Sequence, residues 1–192
     1  MKNLFANLNP SISQQMVNLA DQVTYRRPSA NRTFDQIFMH GGDMIQQTML
    51  MHSFLSDKDV LFLGDGDGMS MMFGLFATQG LTSKPKSLTV LDFDERMVNN
   101  IDKFSKDFEF SVPVKASIYN VIDKTDPDLR QKFDFFYINP PYGSKNKGLS
   151  TIVGYIDVWS YVNKSRLDVW LYPMMRMFYG CLLYTSDAAD DM

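Results

Sequence analysis

Carboxylates and glycines alternate in Gly64-Asp65-Gly66-Asp67-Gly68, directly after the apolar run Val60-Leu-Phe-Leu63. A second acid, Asp92, ends the apolar run Leu88-Thr-Val-Leu91, and Asn139-Pro140-Pro141-Tyr142 follows Phe135-Phe-Tyr-Ile138. Glycines let a turn adopt backbone conformations closed to other residues and let a ligand come close. A helix that starts at such a turn offers free N–H groups and a positive dipole end. An acid at the end of the next strand is placed to accept hydrogen bonds from ribose hydroxyls; helix capping is its alternative use. In the third motif, an Asn side-chain oxygen and a proline carbonyl can together accept from an amine, and the tyrosine can stack on a flat or cationic group. Such a site would hold an amino nitrogen with its lone pair towards an electrophile, which is catalysis by proximity and orientation.

The elements around these motifs alternate regularly. Strands are predicted at Val60–Leu63, Ser87–Leu91, Val112–Ala116, Phe133–Ile138 and Leu167–Tyr172. Between them lie helices to about Gln79, over Asp94–Asp107 and over Ser150–Asn163, with a short helical segment near Pro127–Lys132. Asp94 and Glu95 suit the N-terminus of their helix. Short apolar strands alternating with amphipathic helices predict parallel βαβ units, which bind ligands at the carboxyl ends of their strands. The fold class is therefore α/β, Rossmann-like, with a mostly parallel sheet. Ahead of it, residues 1–55 read as a helical lead-in. A helix over Ser11–Val23 would bury Ile12, Met16, Leu19, Ala20 and Val23, capped by Ser11 or Ser13. A second helical stretch begins at Phe34, breaks or restarts near Gly41-Gly42 and runs to about Leu55. The arginines of the intervening loop, Tyr25-Arg-Arg-Pro-Ser-Ala-Asn-Arg32, either face solvent or fold over the site.

Composition narrows the classes. The chain has 192 residues, 45% hydrophobic and 21% charged, as expected of one globular domain. No apolar run reaches the length of a membrane span and Met1-Lys-Asn-Leu-Phe5 lacks the features of a signal peptide, so a cytoplasmic protein is expected. A net charge of −3 argues against a nucleic-acid groove. One cysteine excludes a disulfide framework. His40 and His52 have no partner at metal-ligand spacing, so no metal is expected. Fourteen methionines suit the filling of irregular core gaps. Residues 181–192, Cys181 to Met192, resemble an in-frame translation of a sequencing adapter. On that expectation the catalytic domain, residues 56–180, is incomplete at its C-terminal end and the fold is truncated after strand five.

The three motifs, in this order, resemble the class I S-adenosylmethionine-dependent methyltransferase fold. More narrowly, the stretch from about Tyr25 to Tyr172 resembles the catalytic domain of the branched-chain polyamine synthases, the bis(aminopropyl)spermidine synthase family. The matching residues are Arg27-Pro28, Arg32, Asp35-Gln36, Gly64-Asp-Gly-Asp67, Asp92-Phe-Asp94-Glu95 and Phe133-Asp134 leading to Pro140-Pro-Tyr142. The resemblance implies transfer of an aminopropyl group from decarboxylated S-adenosylmethionine to a polyamine nitrogen. It implies a donor site of Gly64, Asp65, Gly66, Asp67, Gly68 and Asp92, an acceptor site of Asn139, Pro140, Pro141, Tyr142, Asp35 and Gln36, and catalytic roles for Asp67, Asn139 and Tyr142. Asp65 and Asp67 would attract the donor's ammonium and repel the carboxylate of intact S-adenosylmethionine, and an acidic rim suits a cationic acceptor. The partners implied are a small polyamine and possible pairing as a homodimer.

The chain departs from that family at three places. Gly66 stands where a further acid is usual, Asn139 stands where Asp is usual, and the adenine-reading acid after strand three is not evident, with Ser117 or Asn120 nearby. Asn-Pro-Pro-Tyr is the pattern of methyltransferases that act on adenine amines or glutamine amides. A methyltransferase with S-adenosylmethionine as donor, for which Lys145 and Lys147 could meet phosphates of a nucleic acid, is therefore the alternative. An inactive donor-binding scaffold is the third possibility.

Overall fold

The computed structural model describes residues 11–31, 33, 36, 38–121, 123, 126–129 and 132–138. Helix α1 (Gln14–Arg26) and helix α2 (Gly41–Leu55) precede strand β1 (Asp59–Leu63). Helix α3 (Met69–Thr78), strand β2 (Ser87–Asp92), helix α4 (Glu95–Asp107) and strand β3 (Val114–Ile118) follow. A 3-10 turn (Pro127–Leu129) leads to strand β4 (Phe135–Ile138). The strands form one parallel sheet in the order β3-β2-β1-β4. This is the Rossmann-like α/β arrangement expected. The order reverses between β1 and β4, so the carboxyl end of β1, where the glycine loop begins, lies at the switch point of the sheet.

Parallel strands covered on both faces read as continuous apolar runs, and β1 shows why. Val60 and Phe62 join a large core with residues of α1 to α4, while Leu61 and Leu63 join a second core with Leu91, Phe136 and Ile138. Phe62, Phe73 and Tyr137 meet ring to ring across the first core, with centroids 4.9 to 6.2 Å apart. Six methionines (Met16, Met44, Met69, Met71, Met72 and Met97) fill its irregular spaces, as their number suggested. No described helix is long and apolar enough to cross a membrane.

Several boundaries differ from expectation. β3 begins at Val114 rather than Val112 because Pro113 has no N–H to enter the ladder; its carbonyl accepts from Leu88 N at 2.9 Å instead. β4 begins at Phe135, because Asp134 closes the entry to the strand, accepting from Asp59 N through its side chain at 3.1 Å. Ile12 lies outside α1 and is 41% exposed; the face actually buried is Met16, Ala20 and Val23. Ser13 is the cap, accepting from Met16 N at 3.3 Å. Gln36 and Phe38–His40 are not helical, so the second helix starts at Gly41. The helix expected at Ser150–Asn163, the strand at Leu167–Tyr172 and the tail from Cys181 lie outside the described residues.

Candidate functional site

The loop between β1 and α3 is built by two glycines in the left-handed region, Gly64 at φ 74° and Gly68 at φ 79°. Gly64 N donates to Leu91 O at 2.8 Å, which ties the loop to the end of β2. Gly68 N donates back to Asp65 O at 2.8 Å and closes the turn. Gly68 is also the N-cap of α3, and no side chain at that position caps the helix.

Asp65 supplies the missing cap. It is 2% exposed. Its Oδ1 accepts from Met69 N at 2.7 Å and its Oδ2 accepts from Ser70 N at 3.0 Å and from the Ser70 hydroxyl. Both oxygens thus meet orphan donors of the first turn of α3. Burial pushes the Asp65 carboxyl up to about 8, against the pull of the Ser70 and Met69 donors and with help from the charge of Asp92.

Asp92 is the next buried acid. Its Oδ2 accepts from Asp65 N at 2.7 Å and its Oδ1 from Asp94 N at 2.8 Å. One carboxylate therefore fixes both loops at the switch point. Burial raises its pKa, with Asp94's charge acting in the same direction and the backbone donors opposing. Asp94 caps α4 through Arg96 N at 3.1 Å, and the Arg96 side chain meets the same carboxylate at 2.6 Å. Burial raises Asp94 too, but the donors from Arg96 and Gln36 outweigh it and hold the group below the usual range.

Asp67 faces the segment between α1 and α2. Its Oδ1 accepts from Met39 N at 2.6 Å and lies 3.9 Å from Arg27 Nη1. Arg27 donates from Nη1 to Asp67 O at 3.0 Å and from Nη2 to Met39 O at 2.8 Å, so one guanidinium ties two chain segments together. The guanidinium carbon lies 4.5 Å from the centre of the Phe38 ring. Burial lowers the Arg27 pKa while Asp67 opposes it. Gln36 donates to Asp94 Oδ2 at 3.0 Å and accepts from Asn31 N at 2.8 Å. A Cβ on Gly66 would stand 3.6 Å from Phe38 Cε1, so residues 36–39 lie close against the loop.

The structure thus brings Gly64, Asp65, Gly66, Asp67, Gly68, Asp92 and Gln36 together at the carboxyl end of β1 and β2. Asp35 and the motif Asn139-Pro140-Pro141-Tyr142 lie outside the described residues. Of the two possibilities for the arginine loop, Arg27 takes the second and folds over the site. Met39 and Phe38 were missed, because a backbone N–H and an apolar ring carry no chemical signature in sequence. Phe93 and Ile118, 41% and 59% exposed, were also missed; they stand at the ends of β2 and β3 beside Asp92, and offer apolar surface at the same edge. Asp92 and Ile118 are partners in the β2–β3 register.

Residues 15–155 match the family described as the branched-chain polyamine synthase A C-terminal domain. The chain is 30% identical to N(4)-bis(aminopropyl)spermidine synthase of Thermococcus kodakarensis over 164 residues, covering 78% of this chain and 44% of that protein. It is 30% identical over 130 residues to the enzyme of the same name from Thermus thermophilus, covering 67% and 35%. It thus spans less than half the length of these relatives. The fold is similar to the crystal structure of the Thermus thermophilus branched-chain polyamine synthase in complex with N4-aminopropylspermidine and 5'-methylthioadenosine. That similarity has a TM-score of 0.58 at 22% identity, over 76% of this chain and 40% of the other.

Proposed function

This chain belongs to the branched-chain polyamine synthase family, and from that premise we propose that it moves an aminopropyl group from decarboxylated S-adenosylmethionine to a polyamine nitrogen. The acceptor's neutral amine attacks the aminopropyl carbon bonded to sulfur. The new C–N bond forms as the C–S bond breaks, the electron pair goes to sulfur, and 5'-methylthioadenosine leaves as a neutral thioether. The proton released by the new ammonium passes to Asp67 or Tyr142, directly or through water. Asn139 and the carbonyl of Pro140 orient the acceptor, Pro141 stiffens the motif and Tyr142 packs against it. Asp35 and Gln36 are assigned to the acceptor.

The observation that carries this reading is the division of labour among the loop acids. Asp65 is committed to the N-terminus of α3 and Asp92 to two loop amides. Asp67, whose Oδ1 is held by Met39 N, is the loop carboxylate assigned to the donor's ammonium, an attraction of about 4 kcal/mol at 4 Å and an intermediate dielectric, before desolvation. The cation beside it, Arg27, has both Nη atoms on backbone carbonyls, so it is not set to receive the carboxylate of intact S-adenosylmethionine. Phe93 and Ile118 supply apolar walls for the adenine, and Asp92 the ribose contact. A methyltransferase acting on an amino or amide nitrogen remains the second reading, favoured by Asn139-Pro-Pro-Tyr142.

Calorimetric titration of both donors into the chain tests the choice. Tighter binding of decarboxylated S-adenosylmethionine, followed by turnover with spermidine, is the expected result. Tighter binding of S-adenosylmethionine would overturn it in favour of methyl transfer, and no heat from either would leave the scaffold reading. Asp67→Asn should weaken the decarboxylated donor by tenfold or more and S-adenosylmethionine by less.

A further inference from the structure

Arg27 lies at the C-terminal boundary of α1, far in sequence from the glycine loop, and no role in the reaction follows from its position alone. Its surroundings assign one. The side chain is only 10% exposed. One Nη bonds the carbonyl of Asp67 and the other bonds the carbonyl of Met39, and the N–H of that same Met39 donates to the Asp67 carboxylate. The three residues therefore form a closed ring of contacts. Arg27 holds Met39, Met39 holds the Asp67 side chain, and Arg27 holds the Asp67 backbone. A planar guanidinium can bridge two carbonyls in fixed directions, which an ammonium on a flexible stem cannot. Phe38 seals the ring from one side, over the guanidinium and against Gly66. Two further bonds hold the same segment to the site independently, Gln36 to Asp94 and Arg96 Nη1 to Ser29 O at 3.3 Å. Loss of Arg27 would therefore loosen Met39 without detaching the whole segment.

We propose that Arg27 is a positioning residue for donor selectivity, which through Met39 fixes the Asp67 carboxylate where it meets the ammonium of the donor. The proposal rests on the aminopropyl-donor reading above. It predicts an effect confined to ligands that carry the ammonium. 5'-Methylthioadenosine keeps the adenosine and the methylated sulfur but lacks both the aminopropyl ammonium and the sulfonium charge, so its affinity reports the uncharged rest of the site.

The test is calorimetry of decarboxylated S-adenosylmethionine and 5'-methylthioadenosine with wild type, Arg27→Met, Asp67→Asn and the double variant, each checked by thermal melting. Arg27→Met should weaken the decarboxylated donor about tenfold and leave 5'-methylthioadenosine within about twofold. The double variant should be no weaker than Asp67→Asn alone, because two residues acting through one contact are not additive. Arg27→Lys, which keeps the charge but cannot bridge both carbonyls, should fall with Arg27→Met; if Arg27→Met does not fold, the lysine variant carries the test. Equal losses for both ligands in the Arg27 variants would mean a merely structural residue and overturn the proposal. So would an unchanged donor affinity while Asp67→Asn remains selective. If Asp67→Asn itself fails to distinguish the two ligands, the donor reading is overturned and the Arg27 proposal falls with it.

Discussion

Asp65→Asn separates the structural acid of the loop from its chemistry. Asp65 is buried with a carboxyl raised to about 8, against 3.8 for an unperturbed group. Between those values the folded chain holds a proton that the unfolded chain has released. Stability is then fully present below about pH 4 and is lost as pH rises towards 8, at up to about 1.4 kcal/mol per pH unit. From pH 5 to pH 7 this amounts to roughly 2–3 kcal/mol. Asparagine cannot ionise, so that loss disappears. It brings a cost of its own. With one oxygen in place of two, the amide cannot accept from both Met69 N and Ser70 N, and leaving a buried donor unmet costs about 1–3 kcal/mol. The variant should therefore lie close to wild type at pH 5 and be more stable than it at pH 7 to 8, by about 1–4 kcal/mol. Asp94, whose carboxyl is lowered, loses its contribution only as pH falls below this window. His52, lowered by burial, adds stability as pH rises, but equally in both proteins, so it cancels in the difference. Urea denaturation of wild type and variant at pH 5, 6, 7 and 8 reads the difference directly. Parallel profiles would refute the reasoning, because they would mean that the helix N-terminus and its three donors keep Asp65 ionised despite its burial.

Two glycine substitutions test the packing around the same loop. At Gly68, φ is 79° and a Cβ would lie 2.5 Å from Met71 Cε and 3.3 Å from Val23 Cγ1, whereas Gly80, at φ 70°, has nothing within 4 Å. Gly80→Ala should show only the left-handed penalty, about 1–2 kcal/mol, and Gly68→Ala should exceed it in chemical denaturation; equal losses would mean the Met71 and Val23 contacts yield freely. At Gly74, in the middle of α3, a Cβ would overlap the Phe110 ring, which packs edge-on against Phe104 at 5.8 Å. Gly74→Ala should destabilise by about 1–3 kcal/mol through displacement of that ring, despite the roughly 1 kcal/mol gained in helix propensity; a more stable variant would show that the ring moves without loss.

The sheet was legible because its strands are buried on both faces. Val60-Leu-Phe-Leu63 is apolar without a break, Leu88-Thr-Val-Leu91 is interrupted only by Thr89, and turn residues bound both. What remained illegible was local chemistry that periodicity does not encode. Pro113 moves the start of β3 because its missing N–H removes one rung, and Ile12 falls outside α1 because Ser13 rather than Ser11 takes the cap. The stretch from Phe34 has the composition of a helix, yet Gln36, Phe38 and Met39 are held by Asp94, Gly66 and Asp67 of the loop, and those tertiary contacts override local propensity.

The site illustrates the same limit in electrostatic form. Counted by sequence, Asp65 and Asp67 are equivalent acids one glycine apart, and both would draw a cationic donor. In space they face opposite partners. Asp65 turns into α3, where the first-turn amides and Ser70 surround it, and its burial favours the neutral form. Asp67 turns towards Met39 and Arg27, accepting from Met39 N at 2.6 Å and lying 3.9 Å from Arg27 Nη1. The intervening Gly66 lies against Phe38, whose Cε1 would meet a Cβ there at an ordinary contact distance of 3.6 Å. Under the proposed aminopropyl-donor reading, the field that selects the donor would come from one carboxylate rather than two, and its direction would depend on residues 27–39, which precede the Rossmann-like core in the chain. A donor selectivity weaker than two charges would give, and sensitive to substitutions in that preceding segment, is what this geometry requires.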